Sequence, residues 1–142
     1  MADTVLVAMD DSPLSREALA FALDTFPDAD ITAVHVAYPE IDMLPADTNE
    51  VYDAVLDDLD GVGDEMAQTV FETIREVADG REVSVTFLIG ETDRRLVEYT
   101  EEGGFDHAVL GTHGREGLSR LLLGSVAEAV VRQTDVPTTL VR

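Results

Sequence analysis

Lysine and cysteine are both missing from this chain, and each absence removes a class of chemistry. Without cysteine there is no disulfide, no thiolate metal site and no cysteine nucleophile. Without lysine there is no Walker-type phosphate loop, which requires Gly-Lys-Ser/Thr. Three scattered histidines do not make a transition-metal cluster. No apolar run approaches the ~20 residues needed to span a bilayer, so no membrane partner is expected. The opening MADTVLVAMD has no basic region ahead of its apolar stretch, which argues against a secretory leader and makes the expected location cytoplasmic.

Positive charge is the scarcest resource. Nine arginines face 30 acidic residues, for a net charge of −21. A chain of this sign does not bind nucleic acid by releasing counterions. Its regular apolar periodicity nevertheless argues for a folded domain rather than disorder. A folded surface saturated with carboxylates suits molar salt, where the Debye length falls to about 3 Å, so the charge suggests a halophilic source. The arginines are unevenly placed: residues 1–90 hold 21 acids and 3 arginines, residues 91–142 hold 9 acids and 6 arginines. An anionic ligand would therefore be repelled least in the last third of the chain.

At 142 residues, 45% hydrophobic and 27% charged, the chain has the size and composition of one globular domain spanning residues 1–142. Short apolar, β-branched runs at 4–9, 30–36, 82–89, 106–111 and 137–142 read as five strands. Helical patterns lie between them: SREALAFALDTF, a long stretch over 49–78, DRRLVEYTEE and SVAEAVVRQT. Strands that alternate with helices pair in parallel through right-handed crossovers, so the expected fold is a doubly wound, Rossmann-like α/β sandwich with helices on both faces. Ser12-Pro13 and Thr92 are expected helix starts. The long stretch carries Val51, Val55, Leu59, Val62, Met66, Val70, Ile74 and Val77 at steps of three and four, with Gly61 and Gly63 as a break inside it.

In a doubly wound sheet the ligand sits beyond the carboxyl ends of the strands where the strand order reverses. That draws attention to Asp10-Asp11-Ser12 after the first strand and to Gly111-Thr112-His113-Gly114 after the fourth. The second loop opens the frame Gly111, Gly114, Gly124, Ser125. Glycines there let backbone amides approach a phosphate, and the helix starting near Ser125 aims its free N–H groups at the same place. Ser125 adds a hydroxyl, Arg115 a charge, and His113 a side chain within reach of a phosphate. On this reading Gly114 and Gly124 can be replaced without loss of the fold, at the expense of the ligand.

From VLVAMDDSPLSREALAFAL to VLGTHGREGLSRLLLGSVAEAVVRQTDVPTTLVR the chain resembles the universal stress protein family, over essentially its full length. The resemblance implies a five-stranded parallel sheet in the order 3-2-1-4-5, with ATP held by the loops after strands 1 and 4. It implies that Asp10 lies near the ribose and the phosphates or their Mg2+ (or Mn2+) ion, and that Ala8 and Met9 line the nucleoside pocket. Val36 would offer its backbone to adenine, while Gly111, Gly114, Gly124, Ser125 and Val126 would contact ribose and phosphates, with Thr112, His113 and Arg115 in the same loop. Asp11 departs from the pattern, since glycine is common there. The implied function is a nucleotide-dependent regulatory module of the stress response, and the implied assembly a homodimer through the last strands.

Two other readings use the same residues. Slow ATP hydrolysis or phosphoryl transfer would need a placed base and a metal cage beyond Asp10 and Asp11. A phospho-receiver domain would account for the acidic pair but looks to a lysine that the chain lacks. Self-repulsion generates a direct test of the charge reading: the melting temperature is expected to rise with KCl from tens of millimolar to molar. A melting temperature independent of KCl would remove the halophilic interpretation.

Overall fold

The computed structural model describes residues 3–37, 51–55, 59, 65–113 and 123–142. Its elements run β1 (Thr4–Ala8), α1 (Pro13–Thr25), β2 (Asp30–Ala37), β3 (Val51–Val55), α2 (Glu65–Ala78), β4 (Ser84–Ile89), α3 (Thr92–Glu102), β5 (His107–Gly111), α4 (Ser125–Gln133) and β6 (Thr138–Val141). They form one six-stranded sheet in the order β3-β4-β2-β1-β5-β6. All pairs are parallel except β3 with β4, which is antiparallel from Val51↔Leu88 to Val55↔Ser84.

The five strands read from the sequence are all present and stand in the implied 3-2-1-4-5 arrangement. The sixth corrects the expectation. Residues 51–55 had the spacing of a helix start, because valines four apart share a helix face, but an even spacing also places them on one face of a strand. VYDAV is short and β-branched at both ends, and as a strand it pairs with the outer side of β4. The helical part of the stretch starts at Glu65; Gly61, Gly63 and Val62 lie outside the described residues.

Two apolar layers clamp the sheet. On one face Ala18, Leu19 and Ala22 of α1 and Ala67, Val70, Phe71 and Ile74 of α2 pack against Val5, Val7, Ile31, Ala33, Val85 and Phe87. On the other, Leu96 and Val97 of α3 and Ala129 and Val130 of α4 cover Leu6, Val34, Leu88, Ala108 and Leu110. Central strands covered on both sides explain the unbroken apolar runs of β1 and β5. Helix α1 starts as its sequence implies, with Ser12 accepting from the Ser15 N–H and Pro13 in first position. For α3 the cap is Glu91 without a side-chain bond, and Thr92 is already helical.

Because α1 packs on one face and α4 on the other, the connections from β1 and from β5 leave the sheet in opposite directions. Strand order reverses between these neighbours, so a crevice opens there at the carboxyl ends. Register brings its walls level: Val7 with Val109 is the last pair, and Asp10 and Thr112 each follow three residues beyond it.

Candidate nucleotide site

The β1 side of the crevice is a locked turn. An Asp10 carboxylate oxygen accepts the Ser12 N–H at 2.8 Å, and the buried Ser15 hydroxyl donates to the carbonyls of Asp10 and Ser12 at 2.8 and 3.0 Å. Asp10 therefore shapes its own turn with one oxygen. The sequence reading did not single out Ser15; its signal was a small hydroxyl on the first turn of a helix, facing the sheet.

On the β5 side, Thr112 is a junction of backbone bonds. Its N–H donates to the Val141 carbonyl at the end of β6 (2.8 Å), and its carbonyl accepts the Gly124 N–H (2.7 Å). The Thr112 hydroxyl lies 3.0 Å from His113 Nδ1. Gly124 is the N-cap of α4 and contributes no side-chain bond, so the amides at the start of this helix keep their capacity for an anion, reinforced by the positive end of the helix dipole. Ser125 is exposed and Val126 half-buried beside that opening.

The third wall is β2. Successive residues of a strand turn their N–H and C=O groups to opposite neighbours. The Val34 carbonyl accepts from the Met9 N–H on the β1 side, whereas the Ala37 carbonyl accepts from the Gly90 N–H on the β4 side. The Val36 peptide groups accordingly turn toward β1, one step beyond the last β1–β2 ladder bond. There the Met9 carbonyl is held by the imidazole of His35, whose Nδ1 is 3.0 Å away. Among the described residues the β1–β2 ladder thus ends beside Ala8 and Met9, and beyond it Val36 turns one donor and one acceptor toward the β1 side.

The structure brings together Ala8, Met9, Asp10, Val36, Gly111, Thr112, His113, Gly124, Ser125 and Val126 around the carboxyl ends of β2, β1 and β5. Gly114 and Arg115 lie outside the described residues. Among the described residues no group of three or more histidine, aspartate or glutamate side chains gathers to hold a metal.

Two glycines have a different reason for being glycine than the sequence suggested. A Cβ on Gly124 would lie 2.9 Å from the Thr112 carbonyl oxygen, and one on Gly111 would lie 2.9 Å from the Leu14 Cβ. Both sit where one segment of the chain itself approaches another. A side chain on Gly124 would therefore strain the fold as well as the ligand site: the obstacle is backbone, which does not swing aside.

In a doubly wound α/β sandwich such as this, with strand order reversing between β1 and β5 and the glycine-capped start of α4 at the carboxyl ends of the strands, ligands bind at the switch point. This chain belongs to the universal stress protein family, whose model matches residues 1–142. Universal stress protein MJ0531 of Methanocaldococcus jannaschii is 30% identical over 144 residues, covering 97% of this chain and 81% of the relative. The fold is that of universal stress protein UspA from Lactobacillus plantarum, with a TM-score of 0.71, 23% identity and coverage of 98% and 97%. It is also that of a family protein from Arabidopsis thaliana with AMP bound, with a TM-score of 0.58, 16% identity and coverage of 97% and 90%.

Replacing Gly124 with alanine is expected to cost about 1–3 kcal/mol in urea unfolding, the usual range for forcing a methyl into a close-packed contact. Its φ of −62° suits any residue, so the cost would come from the approach to Thr112 alone. Unchanged stability would show that α4 is free to move away from β5.

Proposed function

We propose that this protein binds an adenine nucleotide, ATP with Mg2+, and serves as a nucleotide-dependent regulatory module in the stress response. The observation that carries the reading is the pairing of two complementary openings across the end of β1. On one side the Val36 N–H and C=O, turned toward the β1 side, match the acceptor N1 and donor 6-amino group of adenine. On the other, the first amides of α4 suit a phosphate chain. Ala8 and Met9 lie between them, where a nucleoside would bridge the two. The AMP bound to the Arabidopsis family member supports this choice of ligand class.

Asp10 fits a supporting role toward the ion. One of its oxygens is engaged by Ser12, and a single carboxylate beside phosphate oxygens and water is a usual Mg2+ environment. Mg2+ or Mn2+ would arrive with the phosphates rather than occupy a preformed protein cage. Asp11, exposed next to it, adds negative charge that high salt would screen, consistent with a cytoplasm rich in salt.

Titration calorimetry is expected to show ATP binding that requires Mg2+ and weakens about tenfold when Asp10 becomes asparagine, a loss of about 1.4 kcal/mol. No heat of binding for ATP, ADP or AMP, and no nucleotide released on denaturing the purified protein, would overturn the reading.

Strand β6 supports a homodimer. It is the outer strand beyond β5, its residues Thr138 to Val141 are all half-buried, and none of them is charged, so its free edge is a template for a second copy. The His107 Nε2 holds Thr139 from inside at 2.7 Å, which seats the strand. Light scattering in molar salt is expected to give twice the chain mass, and Leu140→Pro to shift the protein toward monomer by removing a donor from the edge, since the Pro137 and Val141 carbonyls face β5 and the Leu140 N–H therefore turns away from it. A monomer before any substitution would exclude this contact.

A further inference from the structure

We propose that His35 is the positioning residue that holds the β1–β2 edge open for the base and so underlies a preference for adenine over guanine. The inference rests on the nucleotide reading and adds a residue to it. In an uninterrupted parallel ladder the bond after Met9 N–H to Val34 C=O would run from the Val36 N–H to the Met9 C=O. Among the described residues the Met9 carbonyl is taken instead by a side chain of β2, the His35 imidazole, with Nδ1 at 3.0 Å. Strand β1 ends at Ala8, and Met9 leads into the locked Asp10 turn. The main-chain pair of Val36 is thereby left to a ligand edge.

That pair discriminates. An N–H donor beside a C=O acceptor complements N1 and the 6-amino group of adenine, whereas guanine presents N1–H and O6, a donor and an acceptor in the opposite order. Mismatched, two polar groups would be desolvated without partners, which costs more than a matched pair gains.

The imidazole is well placed to hold this arrangement. It is 3% exposed, and its ring stacks on Phe87 with centroids 5.9 Å apart and planes at 26°. Phe87 in turn meets the edge of Phe71 at 6.0 Å and 77°. This row of rings, from β2 through β4 to α2, fixes where Nδ1 points. Because a carbonyl only accepts, Nδ1 must carry the proton of this bond.

The test begins on the unaltered protein. Long-range proton–nitrogen NMR is expected to show His35 protonated at Nδ1; a neutral ring protonated only at Nε2 would overturn the proposal. His35→Leu removes the donor, whereas His35→Asn returns an amide nitrogen near the place of Nδ1. The leucine variant is expected to lose about tenfold in ATP affinity, with the ATP-to-GTP affinity ratio falling by the same factor, while tripolyphosphate binds as before. The asparagine variant is expected to keep both the affinity and the ratio. A leucine variant that melts cooperatively and keeps the wild-type ratio would overturn the proposal. If that variant does not fold, the contrast between His35→Asn and His35→Gln, which carries its amide one carbon further out, decides: equal ratios would overturn it. An unaltered chain that binds neither ATP nor GTP removes the nucleotide reading and this inference together; one that binds ATP with an unmoved ratio in every folded variant removes this inference alone.

Discussion

The crevice depends on one peptide junction. Thr112 donates to the end of β6 and accepts from the start of α4, so the last strand, the fifth strand and the helix aimed at the crevice share a single anchor. Gly124 makes that anchor possible, because any side chain there would meet the Thr112 carbonyl. Displacing the helix start would strain a bond that also aligns the tail of β6. The candidate ligand site and the outer edge of the sheet are thus mechanically adjacent, although they lie on different elements.

The rest of the molecule is stabilised by apolar layers, not by its charges. The ion pairs Arg16–Glu76, Arg94–Glu98 and Arg132–Glu128 are solvent-exposed, and pairs of that kind contribute little. Some carboxylates nevertheless have a structural task. The N–H groups of Asp3 and Thr4 converge on the Asp106 carboxylate and hold its pKa below the usual range. That tie between the start of β1 and the turn before β5 is complete above the ordinary aspartate range and is lost as pH falls through the depressed value.

Much of this was legible in the sequence because local and global signals agreed. The five apolar runs and the Ser12-Pro13 helix start each mark a feature that the fold retains. What was not legible came from ambiguity of period and from contacts between distant segments. VYDAV fits both a helix and a strand until β4 offers it an edge. The role of Gly124 is set by Thr112, and that of His35 by Met9, 26 residues away. Ser15 was hidden because a serine in a helix reads as an indifferent surface residue until its hydroxyl is seen to bond two carbonyls of the preceding turn.

The two outer strands of the sheet are unlike. Strand β3 is short, antiparallel to its neighbour, and carries the exposed Asp53 at its middle, a combination that discourages further strand addition. Strand β6 has no such guard. On the proposed pairing through β6 the domain is, in the language of polymer chemistry, a monomer with one reactive end. Such a unit can couple once and then has nothing left to extend, so its growth stops at a pair. The extra strand that the helical spacing concealed would then act as a terminator, keeping an edge-pairing protein from becoming a fibre.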